Sequence, residues 1–316
     1  MKILNTIGSQ FDAQAKKILK SIGEAAYQEP SQASLVSAAV GCQILIVGLD
    51  LVVDKKTIDA MPDLKIIATP ATGLDHIDVA HAEQKGIAVL SLRGEDEFLK
   101  TITSTAELAL GLLLALVRHI PGAYDSVKQG RWDRNAFCGA TLSKKTLGIV
   151  GLGRLGPHMA SYGRALNMRV IAHDPTAIPA AGITPVDFET LISESDCISL
   201  HVHLTRETEH LFNAAAFEKM KKTAYLINTS RGRIVDEAAL IASLERQAIA
   251  GYATDVLGGE LAFTEGHAFH PLIAYAKKHQ NVIITPHIGG ATVESRSATD
   301  IFIANKIKQY VNGHLS

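Results

Sequence analysis

A chain of 316 residues is longer than one ordinary domain needs, so two domains are the natural expectation. Its 31 basic and 32 acidic residues leave a formal charge of −1 with no basic cluster, which argues against nucleic acid or an anionic membrane as partner. Cys42, Cys138 and Cys197 are widely separated and lack the paired spacing of a zinc or redox site, so no metal is expected and the thiols read as reduced.

Residues 1–17 show no long apolar stretch ahead of a small-residue cleavage site, and a cytoplasmic location is expected. Apolar runs at 43–48, 64–69 and 87–90 alternate with amphipathic stretches and predict a small α/β unit. Residues 103–120 then read as a helix, polar at its start, with Glu107 early and Pro121 just beyond the apolar run. It is apolar on all sides, which predicts burial between domains or subunits; its most apolar part, 108–117, is too short to span a bilayer.

The stretch 146–174, TLGIVGLGRLGPHMASYGRALNMRVIAHD, carries the strongest signal. Gly151, Gly153 and Gly156 have the G-x-G-x-x-G spacing between an apolar run at 147–150 and a helical segment reaching residue 167. Gly151 permits the tight turn, Gly153 lets a pyrophosphate approach the backbone, and Gly156 lets the helix pack closely on the strand. The phosphate would then meet the helix N-terminus. A second strand, 169–173, ends at Asp174, 18 residues past Gly156, where an acid accepts hydrogen bonds from ribose hydroxyls and opposes a 2′-phosphate. That conflict costs on the order of several kcal/mol, so the cofactor expected is NAD rather than NADP.

Further strands are expected at 197–202, 223–228, 249–254 and 282–285, separated by helices near 213–220 and 236–246. Alternation of this kind implies a doubly wound parallel sheet of the Rossmann type, covered on both faces. The tail after residue 289 is one amphipathic helix, 293–311, too short for a domain. It is expected to pack on the N-terminal unit. Residues 1–100 and 289–316 would then form a discontinuous, smaller flavodoxin-like substrate domain, and 101–288 the NAD-binding domain. Two crossings between domains suggest a hinge and a ligand cleft.

Several motifs in order carry a resemblance: ATGLDHID (71–78), the buried helix with Thr105-Ala106-Glu107, GLGRLG (151–156), LHVHLTRET (200–208), INTSRG (227–232), DVLGGE (255–260) and TPHIGGAT (285–292). The chain resembles the D-isomer-specific 2-hydroxyacid dehydrogenases over most of its length. The resemblance implies hydride transfer between C4 of nicotinamide and C2 of a 2-oxo or D-2-hydroxy acid. His287 would be the general acid/base, Glu260 would orient it, and Arg231 would bind the substrate carboxylate and carbonyl. The chemistry fits these types: guanidinium presents a fork of donors to a carboxylate, and a carboxylate on one ring nitrogen fixes a histidine's tautomer.

The resemblance also places backbone groups of Thr72 and Gly73 at the substrate carboxylate, Asp255 near the nicotinamide carboxamide and Thr208 near the phosphates. Backbone groups of Arg154 and Leu155 would join the pyrophosphate, and Thr229 would belong to the same cofactor set. A homodimer through the cofactor domains is implied as well. This chain departs from the family pattern at His203, where proline is usual in the wall facing adenine or ribose. It departs again at Pro157, at Leu261 after Glu260, and through the segment to residue 270. Arg93, in SLRGEDEF, reads either as a recogniser of an extra anionic group on the substrate or as a solvated cation near Glu95 and Asp96. An NADH-binding corepressor-like sensor and a formate dehydrogenase-like enzyme are the alternative functions.

Overall fold

A computed structural model describes residues 1–176, 180–263 and 269–314. Of the unfamiliar segment 261–270, residues 264–268 lie outside the described residues. The chain divides into two compact units, Met1–Thr101 with Ala291–Ser316, and Ile102–Gly290.

The first unit holds a five-stranded parallel sheet: β1 (Lys2–Asn5), β2 (Glu24–Tyr27), β3 (Ile44–Ile46), β4 (Ile66–Ala68) and β5 (Ala88–Leu90), in the order β2-β1-β3-β4-β5. The three apolar runs of the sequence become β3, β4 and β5. The helix Ala13–Lys20 starts at Asp12, whose carboxylate accepts the amides of Gln14 and Ala15, a standard N-cap. Against it packs the C-terminal helix Val293–His314. Ile303, Ala304 and Ile307 of that helix share one apolar core with Ala15 and Leu19. Buried Asp300 accepts the Asp12 amide at 3.0 Å across this contact. Burial pushes the Asp300 carboxyl up to about 6. Thr72 and Gly73 lie on the loop after β4, and Arg93 on the loop after β5.

The second unit holds a seven-stranded sheet, all parallel: β6 (Thr146–Val150), β7 (Arg169–His173), β8 (Thr184–Pro185), β9 (Cys197–Leu200), β10 (Tyr225–Asn228), β11 (Gly251–Thr254) and β12 (Val282–Ile284). Their order is β12-β11-β10-β9-β6-β7-β8. The chain runs outward from β6 through β7 and β8, then returns to the other side of β6 with β9. This is the topological switch point beside which ligands of open α/β sheets gather. Leu147 and Ile149 face one core and Val150 the other, so the strand is apolar without alternation.

One boundary differs from the sequence reading. The helix expected over 103–120 spans Ser104–Val117, and Pro121 opens a second helix, Ile120–Lys128, rather than merely following the first. His119, in the left-handed region at φ 53°, makes the corner. Proline is tolerated in a first turn because its missing N–H has no intrahelical partner there. By length and composition the stretch Asp96–Val117 suits a membrane span. In the structure it breaks at 100–103, and its second part packs on β10, β11 and the helix Gly156–Ala165.

Candidate active site

The strand register puts the candidate residues in one row. Val150 pairs with Leu200, Leu200 with Asn228, Asn228 with Thr254, and Thr254 with Ile284. Gly151, Thr229 to Arg231, Asp255 and Thr285 to His287 each follow the last residue of one of these strands. All of them therefore emerge at the carboxyl edge of the same sheet.

The glycine turn has the geometry its spacing implies. Gly151 has φ 93°, and a Cβ there would meet the His201 carbonyl at 2.5 Å. At Gly156 a Cβ would meet the Gly151 carbonyl at 2.1 Å, whereas at Gly153 nothing lies within 4 Å. Only the middle glycine borders open space, as the approach of a diphosphate requires. The helix Gly156–Ala165 has no side-chain cap at Leu155, and Pro157 sits harmlessly in its first turn. Asp174 directly follows β7 and accepts the Leu152 amide at 2.7 Å, which ties the acid to the glycine turn. Its other oxygen accepts the amide and the hydroxyl of Thr176 at 2.9 and 3.0 Å, which fixes the carboxylate at the end of the sheet. The Thr229 hydroxyl is buried and has no hydrogen-bond partner among the described residues. These features fit a dinucleotide.

Two expected cofactor residues have internal bonds. Thr208 Oγ1 donates to the His203 carbonyl at 2.6 Å and accepts the Thr205 amide at 2.8 Å, bracing the loop that carries exposed His203. Arg154 Nη1 donates to the Ile102 carbonyl at 2.8 Å. Burial, aided by the charge of Arg154, holds His201 down to about 4, so this ring stays neutral; its Nε2 lies 2.9 Å from Ser199 Oγ.

His287 and Glu260 meet. Nδ1 of His287 lies 2.7 Å from Glu260 Oε1, and both side chains are largely shielded from solvent. A carboxylate accepts, so Nδ1 carries the hydrogen and Nε2 is left to exchange a proton. Glu260 is fixed in turn: its Oε2 accepts the Leu257 amide at 3.0 Å. His287 sits at φ 53°, a left-handed conformation costing about 1–3 kcal/mol that tends to occur at functional sites. Asp255 holds it there. The Asp255 carbonyl accepts the His287 amide, and its carboxylate accepts Thr285 Oγ1 at 2.6 Å and the amides of Ile288 and Gly289 at 2.8 and 2.7 Å. Asp255 is 1% exposed, and burial raises its carboxyl above the usual range. Bracing the His287 turn is a role the sequence reading did not give it.

Arg231 stands at the start of the turn Gly232–Ile234. Buried Asn228 shapes that turn: its Nδ2 donates to the Arg231 carbonyl at 2.9 Å and its Oδ1 accepts the Ser230 amide at 3.0 Å. A Cβ on Gly232 would lie 2.1 Å from the Leu257 carbonyl carbon and 2.2 Å from the Gly258 nitrogen. Backbone thus rests on backbone where the Arg231 and Glu260 loops cross. The Arg231 guanidinium donates through Nη1 to the Ser230 carbonyl at 2.7 Å, and it lies in the same unit as the His287 imidazole and its carboxylate partner. Among the described residues no group of three or more His, Cys, Asp or Glu is arranged to hold a metal.

Residues 110–289 match the family described as D-isomer specific 2-hydroxyacid dehydrogenase, NAD binding domain. The chain belongs to the D-isomer specific 2-hydroxyacid dehydrogenase family. It is 40% identical to a D-3-phosphoglycerate dehydrogenase of Synechocystis over 83% of this chain and 45% of that protein. It is likewise 40% identical to a glyoxylate reductase of Thermococcus litoralis, over 83% of this chain and 78% of the relative. The solved D-lactate dehydrogenase of Aquifex aeolicus, complexed with NAD and lactic acid, superposes with a TM-score of 0.86 at 28% identity, covering 100% of this chain and 96% of that one. The chain spans about half the length of the phosphoglycerate dehydrogenases it matches. It carries the family's NAD-binding domain, and that domain holds Arg231, Glu260 and His287. Thr72, Gly73 and exposed Arg93 belong to the other unit. There Glu95 pairs with Lys306, not with Arg93.

Proposed function

We propose that this chain is an NAD-dependent oxidoreductase that interconverts a 2-oxo acid and a D-2-hydroxy acid. The observation that carries this is the 2.7 Å pairing of His287 Nδ1 with Glu260 Oε1, on a loop packed against the turn that bears Arg231. NADH, when bound, supplies the hydride that reduces the substrate carbonyl carbon. The chain's residues do the rest. Arg231 binds the carboxylate and polarises the carbonyl, as a planar cationic fork can. His287 delivers the proton from Nε2 to the developing alkoxide, and takes it back in the reverse direction. Glu260 holds the tautomer and stabilises the charged ring. A carboxylate rather than an amide on His287 favours this chemistry over formate oxidation.

Gly151, Gly153, Arg154, Leu155 and Gly156 are proposed to receive the diphosphate, with Thr208 and Thr229 beside them. Asp174 and His203 would serve the ribose side, and Asp255 the nicotinamide end through the turn it braces. Thr72, Gly73 and Arg93 complete the substrate set, with Arg93 reading a second anionic group. Loss of that guanidinium in Arg93→Ala is expected to raise KM for a phosphorylated 2-oxo acid more than for its unphosphorylated counterpart. Ile120, Tyr124, Val127 and Trp132 are exposed on and just after the helix Ile120–Lys128, as an apolar contact between two copies would require. The protein is proposed to be a cytoplasmic homodimer.

The test of function is oxidation of NADH in the presence of glyoxylate, hydroxypyruvate, pyruvate and 3-phosphohydroxypyruvate. Turnover with at least one of them is expected. Tight NADH binding without turnover of any would point to a nucleotide sensor instead.

A further inference from the structure

A second carboxylate and imidazole pair lies behind the first. Glu237 is the first residue of the helix Glu237–Glu245, which follows the Gly232–Ile234 turn after Arg231, and its side chain is 17% exposed. Its Oε1 accepts the Gly258 amide at 3.0 Å, and its Oε2 lies 3.1 Å from Nε2 of His270, itself 10% exposed. The His270 ring is oriented from its other side, where Nδ1 accepts the Leu272 amide at 3.2 Å and caps the helix Pro271–Ala276. Nδ1 is therefore the accepting nitrogen and Nε2 the one that donates to Glu237.

Both oxygens of Glu237 are thus committed, and one of them fixes a peptide unit of the catalytic loop. The carboxylate lies close against Gly258, where a Cβ would come within 2.8 Å of Glu237 Oε2. The next peptide back, at Leu257, donates to Glu260, and Glu260 accepts from His287. The contacts run unbroken from His270 through Glu237, Gly258, Leu257 and Glu260 to His287. Gly232, beside Arg231, rests on the same two residues, Leu257 and Gly258.

We propose that Glu237, held by His270, is a positioning residue: it fixes the Leu257–Gly258 peptide so that Glu260 and Arg231 keep their places, and acts on the proton transfer only through Glu260. This rests on the reading of His287 and Glu260 as the acid/base pair. A residue of merely structural value would change stability and leave the pH dependence of the reaction alone. Two carboxylates interact with His287: Glu260 through the 2.7 Å contact and Asp255 from the turn below it. Asp255 is held by its own turn, and the hydrogen-bond path from Glu237 to His287 runs through Glu260.

The test compares wild type with Glu237→Gln and Glu237→Ala. The glutamine variant keeps the volume, but its single carbonyl oxygen can accept only one of the two N–H groups. Expected for both variants are a fall in kcat of up to about 100-fold, as a misplacement on the order of 1 Å can produce, with little change in KM for NADH, and an alkaline limb of the reduction profile moved to lower pH. In histidine-labelled protein, the low-field Nδ1 proton of His287, identified by its absence in His287→Gln, should broaden or vanish in Glu237→Gln. That signal is read without turnover, so the positioning claim is tested even if no 2-oxo acid is reduced, an outcome that would refute the proposed function instead. An unchanged proton signal in both variants, or lower activity with an unchanged pH profile, overturns the proposal.

Discussion

Glu260 bridges two partners with its two oxygens: Oε1 meets His287 Nδ1 at 2.7 Å and Oε2 accepts the Leu257 amide at 3.0 Å. The carboxylate therefore both sets the tautomer of the histidine and is itself fixed to the loop. Substitution Glu260→Gln removes the charge that stabilises the imidazolium and leaves one oxygen for two donors. The expected outcome is a kcat lower by about 10- to 100-fold, less than the 10²- to 10⁴-fold worth of the general acid itself because His287 is still present, with NADH affinity retained. Steady-state kinetics and NADH fluorescence titration measure the two effects separately.

Gly232→Ala probes the crossing of the Arg231 and Glu260 loops. A methyl group 2.1 Å from the Leu257 carbonyl carbon forces the two backbones apart. Overpacking of this kind costs about 1–3 kcal/mol. The melting temperature should fall and kcat should fall with it, since both functional loops move. A variant with wild-type melting and turnover would show that the crossing has slack.

The Asp300 carboxyl, at about 6, lies above the ordinary carboxylate value near 4. The folded state thus favours the neutral acid. The stability tied to it is complete below about pH 4 and is lost as pH rises through 6. Asp300→Asn keeps a neutral acceptor for the Asp12 amide at every pH. Denaturant unfolding should find variant and wild type alike near pH 4 and the variant more stable at pH 8, by about 3 kcal/mol. A difference that does not vary with pH would contradict the assignment.

Much of this fold is legible in the sequence, and the exceptions have physical causes. β6, β9, β10 and β11 are covered on both faces, so each is short, rich in apolar residues and buried almost from end to end, with Ser199, Asn228 and Thr254 the polar members of the last three. β2 is different: it forms a sheet edge, with a burial pattern that alternates exposed and half-buried around Glu24. β8 has two exposed residues, one of them Pro185, and no pattern of strand length could signal it. Pro121 reads as a stop, yet a first-turn proline starts a helix equally well, and only the corner at His119 decides.

The site divides in the same way. Arg231, Glu260 and His287 stand in recognisable motifs that follow strand ends. Glu237 and His270 do not stand out, because an acid opening a helix and a histidine ahead of a proline are ordinary helix starts. Only folding brings the two side chains to 3.1 Å. The bracing role of Asp255 is hidden for the same reason, since its donors come from residues about thirty positions away.

The most direct test of the central claim is turnover of a 2-oxo acid by His287→Gln beside its affinity for NADH. The account predicts a fall in kcat of about 10²- to 10⁴-fold with the NADH dissociation constant unchanged, because the substitution removes the proton donor and leaves the glycine turn and Asp174 intact. Turnover at the wild-type rate in His287→Gln would contradict it.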